Sequence, residues 1–286
     1  MYKHFFLFVT IVNLLGCDEA YESDLSETGN TTTPISDFFP GGSNAYWLYD
    51  VASSSSQVSE MNFTAIDSIY IASATGASFS LGANDNGIAR GNMNMLLTNG
   101  TISKTNTMLT FDGTIDVPEN LADLGFTQEL SIEDMMLLNL NALNGEEMFL
   151  SESDFSETID IQGVSVPVDV SSKISTNKIN FHDNITLNGT DYNAIFEGEF
   201  TLNIAITGTF TVAGSVQTIP ILQAQDVMKT SYYFADNIGL VRAETVQGFS
   251  LSSQLTTLLS LLNITLDFPA SLSIDNVEEL SDFSVE

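Results

Sequence analysis

From about residue 43 onward, apolar and polar residues alternate with period two, the mark of strands with one buried face. The clearest run is Phe200 to Thr207. Phe200, Leu202, Ile204 and Ile206 share one face, and Thr201, Asn203 and Thr207 share the other. After Gly208 the alternation resumes at Phe210 and Val212. A second run carries Ile159 and Ile161, then Val164, Val166, Val168 and Val170. Asn-Gly at 86–87, 99–100, 144–145 and 188–189, and Asp-Gly at 112–113, are hairpin signals, because a type I′ turn needs positive φ at both central residues. Six prolines and 19 glycines are enough punctuation for about a dozen strands. Residues 118–150 read two ways. Ser131-Ile132-Glu133-Asp134 has the form of a helix start, but Met136, Leu138 and Leu140 alternate and Asn144-Gly145 follows, so a hairpin is expected. Leu251, Leu255, Leu258, Leu259 and Leu262 fall at helical spacing and predict one short C-terminal helix over 251–262. No strong linker divides the chain after residue 43. The expected architecture is therefore all-β and mainly antiparallel, a single domain over 43–286. It would form one large curved sheet, or an open or half barrel with long hairpins.

The first nineteen residues differ. Lys3 precedes an apolar run from Phe5 to Leu15, which closes on Leu14-Leu15-Gly16-Cys17 and then Asp18-Glu19. A largely apolar run of eleven residues is too short to span a bilayer, which takes about 20. It fits the core of a secretory signal better. The stretch resembles a bacterial lipoprotein signal peptide with its lipobox, although Leu15 stands where a small residue is usual. Cys17 is the only cysteine in the chain. The resemblance implies cleavage after residue 16, diacylglycerol on the Cys17 thiol and an outer-membrane location. Stable anchoring needs two acyl chains or signals, a condition that a lipidated cysteine meets. Asp18 and Glu19 resemble the acidic stretch of surface-exported lipoproteins of Bacteroidetes, which points to the cell surface rather than the periplasmic face. Residues 17–42, acidic and rich in Ser, Thr and Asn, are expected to form a flexible tether.

Composition narrows the partners. Asp and Glu number 37 against seven Lys and Arg, a formal net charge of −30. Nucleic acid is excluded, since binding it rests on cationic contacts to phosphate. Direct attraction to anionic headgroups is excluded for the same reason, so the lipid is the expected membrane contact. A surface of one sign repels itself, and salt screens that repulsion. Added NaCl is expected to raise the melting temperature. A melting point that is flat or falls with salt would contradict this.

Gln225-Asp226-Val227 and Tyr232-Tyr233-Phe234-Ala235-Asp236-Asn237-Ile238-Gly239-Leu240-Val241-Arg242 resemble the closing hairpin of TapB-like bacterial lipoproteins. The strand Tyr46-Trp47-Leu48-Tyr49 occurs there too. Physically the longer stretch reads as strand, Asp-Asn turn, strand. The chain as a whole looks most like uncharacterised outer-membrane lipoproteins of marine flavobacteria. The resemblance implies a curved antiparallel sheet forming an open barrel, and it assigns no activity.

Candidate chemistry is sparse. His182, in Asn180-Phe181-His182-Asp183-Asn184, is the only histidine after residue 17, and a Ser-His-Asp device would have to use it. The sequence lacks a nucleophile elbow and clustered zinc ligands, so no catalytic residue is assigned and no enzyme is expected. Carboxylates such as Glu197 and Glu199 share a strand face, which reads as the solvated side of the sheet. No cofactor is called for. Calcium is the one ion whose oxygen chemistry the loops at Asp85 and Asp183 suit, though neither has the spaced loop of a dedicated site. Trp47 and Tyr49 share a face: exposed, they would stack on a sugar or other apolar ligand, and buried, they would anchor the first strand. Asp67-Ser68-Ile69 is similar to the O-glycosylation acceptor of the Bacteroidetes. The leading expectation is a non-enzymatic, lipid-anchored binding module for a small molecule, glycan or envelope protein. A structural or adhesive surface lipoprotein is the alternative, and a carboxylate-dependent polysaccharide hydrolase is a weaker one.

Overall fold

The computed structural model describes residues 36–42, 44–115, 129–161, 163–212, 214–266 and 268–285. Residues 1–16, Cys17, Asp18 and Glu19, and with them the lipobox, lie outside the described residues. Twelve strands form one antiparallel sheet. In chain order they are β1 (Tyr46–Ser54), β2 (Phe63–Thr75), β3 (Ser78–Ala83), β4 (Gly100–Lys104), β5 (Met108–Ile115) and β6 (Leu130–Asn139). The second half adds β7 (Glu147–Ile161), β8 (Val164–Leu187), β9 (Thr190–Val212), β10 (Ser215–Ala235), β11 (Gly239–Ser250) and β12 (Ser271–Ser284). Among the described residues two short α-helices interrupt them, α1 (Asn92–Thr98) and α2 (Ser253–Leu261).

The spatial order is β6-β5-β4-β3-β2-β1-β12-β11-β10-β9-β8-β7. Each strand pairs with its sequence neighbours, with two exceptions. The first and last strands, β1 and β12, pair with each other, from Tyr46↔Ser284 to Ser54↔Asp275. The consecutive strands β6 and β7 do not pair and stand at the two ends of the order. The sheet thus curls into an almost closed barrel, with its seam in the middle of the chain. This corrects the expected hairpin over 118–150. Both halves are strands, but Asn144-Gly145 joins the two edges of the sheet rather than a ladder.

The seam is held by side chains instead. Tyr232 Oη donates to the Leu137 carbonyl at 2.7 Å, and Thr176 Oγ1 to the Met136 carbonyl at 2.5 Å. Lys178 Nζ donates to the carbonyls of Leu140 at 3.0 Å and Ala142 at 2.7 Å. The edge carbonyls of β6 and the loop after it thereby find donors on β8 and β10, as buried backbone groups must.

Among the described residues, large side chains pack the barrel interior. Trp47, Tyr49, Phe111, Phe196, Phe200 and Phe234 are among the largest side chains with essentially no exposure. The predicted inward face of β9 holds, since Phe200, Leu202, Ile204 and Ile206 are all buried. In β6 Leu138 is buried as expected, but Met135 and Leu137 join the core as well, after Asp134, at φ 54°, interrupts the alternation. The expected tether also ends sooner than residue 42. Phe38 and Phe39 are buried, and the Phe39 ring lies 5.0 Å from Trp47 and 5.2 Å from Phe79. Lys104 Nζ fixes this entry by bonding Asp37 Oδ2 at 2.7 Å and the Phe39 carbonyl at 2.8 Å.

The C-terminal helix forms as α2, one residue short of the prediction at its end. Ser252 caps it, its Oγ accepting from the Leu255 N–H at 3.0 Å, and Leu255, Leu258 and Leu259 are buried. Of the five dipeptide turn signals, only Asn188-Gly189 makes a tight hairpin within the ladder. Both residues have positive φ, 46° and 82°, and they join β8 to β9. The 112–113 pair lies inside β5, and the 99–100 pair links α1 to β4. The hairpin end around Asn188 covers part of the outer surface. Ile185 and Leu187 pack there against a small cluster of Tyr192, Ile195, Ala235 and Val241. Ile195 and Phe196 point to opposite sides of β9 and both are fully buried, so the sheet is covered on both faces at this point.

Candidate functional site

The most unusual chemistry lies inside the barrel, where α1 meets the sheet. Asp67 on β2 and Glu278 on β12 occupy inward positions and have no exposure. Buried carboxylates are costly unless hydrogen-bonded. Here the loop before α1 and the first turn of the helix supply the donors. Asp67 accepts from the Arg90 N–H at 2.9 Å, the Gly91 N–H at 2.8 Å and Asn84 Nδ2 at 2.9 Å, with Asn94 Nδ2 at 3.4 Å. Glu278 accepts from the N–H groups of Met93 at 2.6 Å and Asn94 at 2.9 Å. Asn276 Oδ1 takes the Asn92 N–H at 3.2 Å. A helix start leaves its first N–H groups without intrahelical partners. Gly91 offers α1 no side-chain cap, so residues distant in sequence provide it. A Cβ at Gly91 would fall 2.1 Å from Glu278 Oε2, so the glycine is what admits the carboxyl.

Burial pushes the Glu278 carboxyl up from its ordinary 4.5 to about 8, the Met93 and Asn94 N–H groups pull it down, and the charge of Asp67 pushes it up. Tyr49, also fully buried, is raised by burial first and then by Glu278 and Tyr192. The arrangement is that of a polar knot that seats a helix. Its two acids face each other, as a hydrolase would require, but inside the barrel with their oxygens engaged by backbone N–H groups.

Trp47 and Tyr49 are core residues, at 0% and 1% exposure, and do not form a stacking platform. Their polar tips reach β11: Trp47 Nε1 donates to the Ile238 carbonyl at 2.6 Å, and Tyr49 Oη to the Leu240 carbonyl at 2.8 Å. The β11–β12 ladder stops at Arg242↔Glu279, so these donors serve the end of β11 that β12 does not pair. The two segments that carried the family resemblance therefore meet in space. Tyr46 faces outward beside Tyr70, as the alternation requires.

His182 lies within β8 rather than beside a turn. Its Nε2 is 2.7 Å from Glu197 Oε2, and its Nδ1 is 3.5 Å from Asn180 Nδ2. Tyr233 Oη donates to the other oxygen of Glu197 at 3.2 Å. The Tyr233 phenol is pushed up to about 12 by burial first, then by Glu197. Glu199 shares that face and pairs with Lys229 at 2.9 Å. Across the same outer surface Arg242 joins Glu244 and Glu279. Of the acids read as simply solvated, Glu197 is hydrogen-bonded to His182 and Tyr233, and Glu199 is paired with Lys229. The ring nitrogens of His182 meet a carboxylate and an amide, not a serine hydroxyl.

The two calcium candidates are not brought together. Asp85 is an exposed residue of the turn after β3, and Asp183 is an exposed position inside β8, not a loop. In the first turn the structural work falls to Asn84, at φ 47°, which bonds Asp67, the Ile88 carbonyl and the Ser68 N–H. Among the described residues, no group of three or more His, Cys, Asp or Glu is placed to hold a metal ion. Asp67-Ser68-Ile69 lies mid-strand with its aspartate fully buried, which removes it as an accessible acceptor.

Sequence reasoning missed Asp67, Glu278 and Lys178. The signal was their phase. Lys178 continues the inward series Val166, Val168, Val170, Ser172, Ile174 and Thr176, and Glu278 continues Leu272, Ile274 and Asn276. No family model, curated protein or solved structure matches the chain.

Proposed function

We propose that this chain is a lipid-anchored envelope protein whose barrel is a structural or adhesive unit, engaging its surroundings through its outer face. The observation that carries this reading is the packing of large side chains inside the barrel among the described residues. The inner side of the sheet, where a small ligand would be held, is occupied by Trp47, Phe39, Phe111, Phe196, Phe200 and Phe234. This moves the weight from the small-molecule binding module to the structural alternative. The N-terminal lipobox, with Cys17 as the acylated residue, supplies the anchor in this reading. Asp18 and Glu19 supply the lean toward the cell surface. A strongly acidic outer face would keep neighbouring copies apart and meet cationic or calcium-bridged envelope components.

Two measurements test it. Native mass spectrometry of delipidated protein purified from its own cells is expected to return the mass of the polypeptide alone. A small molecule retained in stoichiometric amount would restore the binding module. Cys17→Ser is expected to move the protein from the envelope to the soluble fraction. Protease added to intact cells is expected to degrade the wild-type barrel. Envelope retention of the serine variant would remove the anchor from the proposal, and an intact barrel after protease would place it on the periplasmic face.

A further inference from the structure

The knot at α1 contains two anomalies. One is a pair of carboxyls, Asp67 and Glu278, each without exposure, that flank the same glycine and share Asn94 as a neighbour. The other is Asn94 itself, only 1% exposed. Its backbone N–H is on Glu278 and its amide nitrogen is toward Asp67, yet its Oδ1 has no hydrogen-bond partner among the described residues. A buried acceptor without a donor is costly, and so is a second buried negative charge beside the first.

We propose that a bound proton resolves both: at neutral pH Glu278 is the neutral acid, its O–H is the donor that Asn94 Oδ1 lacks, and loss of that proton loosens the seat of α1. Four N–H donors, from Asn84, Arg90, Gly91 and Asn94, converge on the two oxygens of Asp67. Glu278, with two, is the one that keeps the proton. Among the described residues, the titratable groups that face it are Asp67 from β2 and Tyr49 from β1. From α1 and the loop before it come only amides and backbone N–H groups, because the Arg90 side chain is exposed. On β11 its neighbour is Ala243, and beyond that lies Tyr232 of β10.

The direction of the pH effect follows from the raised carboxyl. In the unfolded chain Glu278 titrates near 4.5, and in the barrel near 8. Between those values the folded state holds a proton that the unfolded state does not. This group's contribution to stability is therefore complete below about pH 4.5 and is lost as pH rises through about 8. The test is a difference, so that pH effects common to both proteins cancel. Wild type and Glu278→Gln, both full-length, are melted from about pH 5 to pH 9. The glutamine keeps an N–H donor for Asn94 and cannot ionise. The expected result is a melting temperature that falls more steeply with pH in wild type than in the variant, with the excess gone above about pH 8. Parallel curves would overturn the proposal. If the variant does not fold, infrared spectroscopy of wild type decides. A carboxylic-acid carbonyl band present at pH 7 and bleached on alkalinisation supports the bound proton, and absence of the band at pH 7 overturns it.

Discussion

Trp47→Ala is expected to remove about 3–5 kcal/mol of unfolding free energy, the range for emptying a fully buried aromatic site. Two losses combine. The indole is the largest side chain with no exposure, packed against Phe39 at 5.0 Å. Its N–H also serves the Ile238 carbonyl, and an unpartnered buried carbonyl costs about 1–3 kcal/mol. A domain of ordinary stability holds about 5–15 kcal/mol, so the variant should lose roughly a fifth or more of what it has. Urea unfolding followed by circular dichroism reads the change, because Trp47 is the sole tryptophan and its removal also removes the fluorescence signal. Trp47→Phe should fall between the two, since it restores ring packing without the donor. A wild-type unfolding midpoint for the alanine variant would mean that the β1–β11 contact is not part of what holds the barrel.

Lys178→Met is expected to cost about 2–6 kcal/mol, from one buried and one half-buried carbonyl left without a donor at about 1–3 kcal/mol each. Methionine keeps the stem, so the loss isolates the ammonium. Lys178 is 5% exposed, and burial pushes its ammonium below the usual lysine range while Glu146 pulls it back up. Its Nζ lies 5.9 Å above the Phe196 ring, within reach of a cation–π contact. The effect should also be local. The Leu140 and Ala142 carbonyls belong to the end of β6 and the loop after it, so hydrogen exchange in β6 should rise more than in β9, which pairs on both sides. Uniform acceleration across the sheet would show that Lys178 supports the whole barrel rather than its seam.

How far these features could be read in advance depended on the kind of physics behind them. The alternation at Phe200–Ile206 and Ile159–Val170 needs only local phase, and those side chains are buried as expected except Val164, which starts its strand beside the turn and is exposed. The helix at Ser253–Leu261 has its own apolar stripe and a serine cap, so it too was legible. Pairing was harder. Asn144-Gly145 marks a reversal in both a hairpin and a seam, and only the closure of the barrel decides which. Helix α1 has just seven residues, and its cap comes from Asn276 and Glu278, about 180 positions away. No local signal announces such a cap. Lys178, Asp67 and Glu278 fall in the apolar phase of their strands. Charge alone suggested solvent, whereas phase alone would have placed them inside. The conflict between the two was the available clue.

The pairing of β1 with β12 bears on when the barrel can form. Tyr46 meets Ser284, so the ladder that joins the two halves spans nearly the whole chain and closes a very long loop. Contacts this distant in sequence slow folding, because chain entropy is lost before the contact is made. A polypeptide leaving the ribosome cannot complete this circle until its last strand is free. Until then it is two open, curled half-sheets with unsatisfied rims. For a chain proposed to cross a membrane before it works, late closure keeps the thread passable and leaves assembly to the far side.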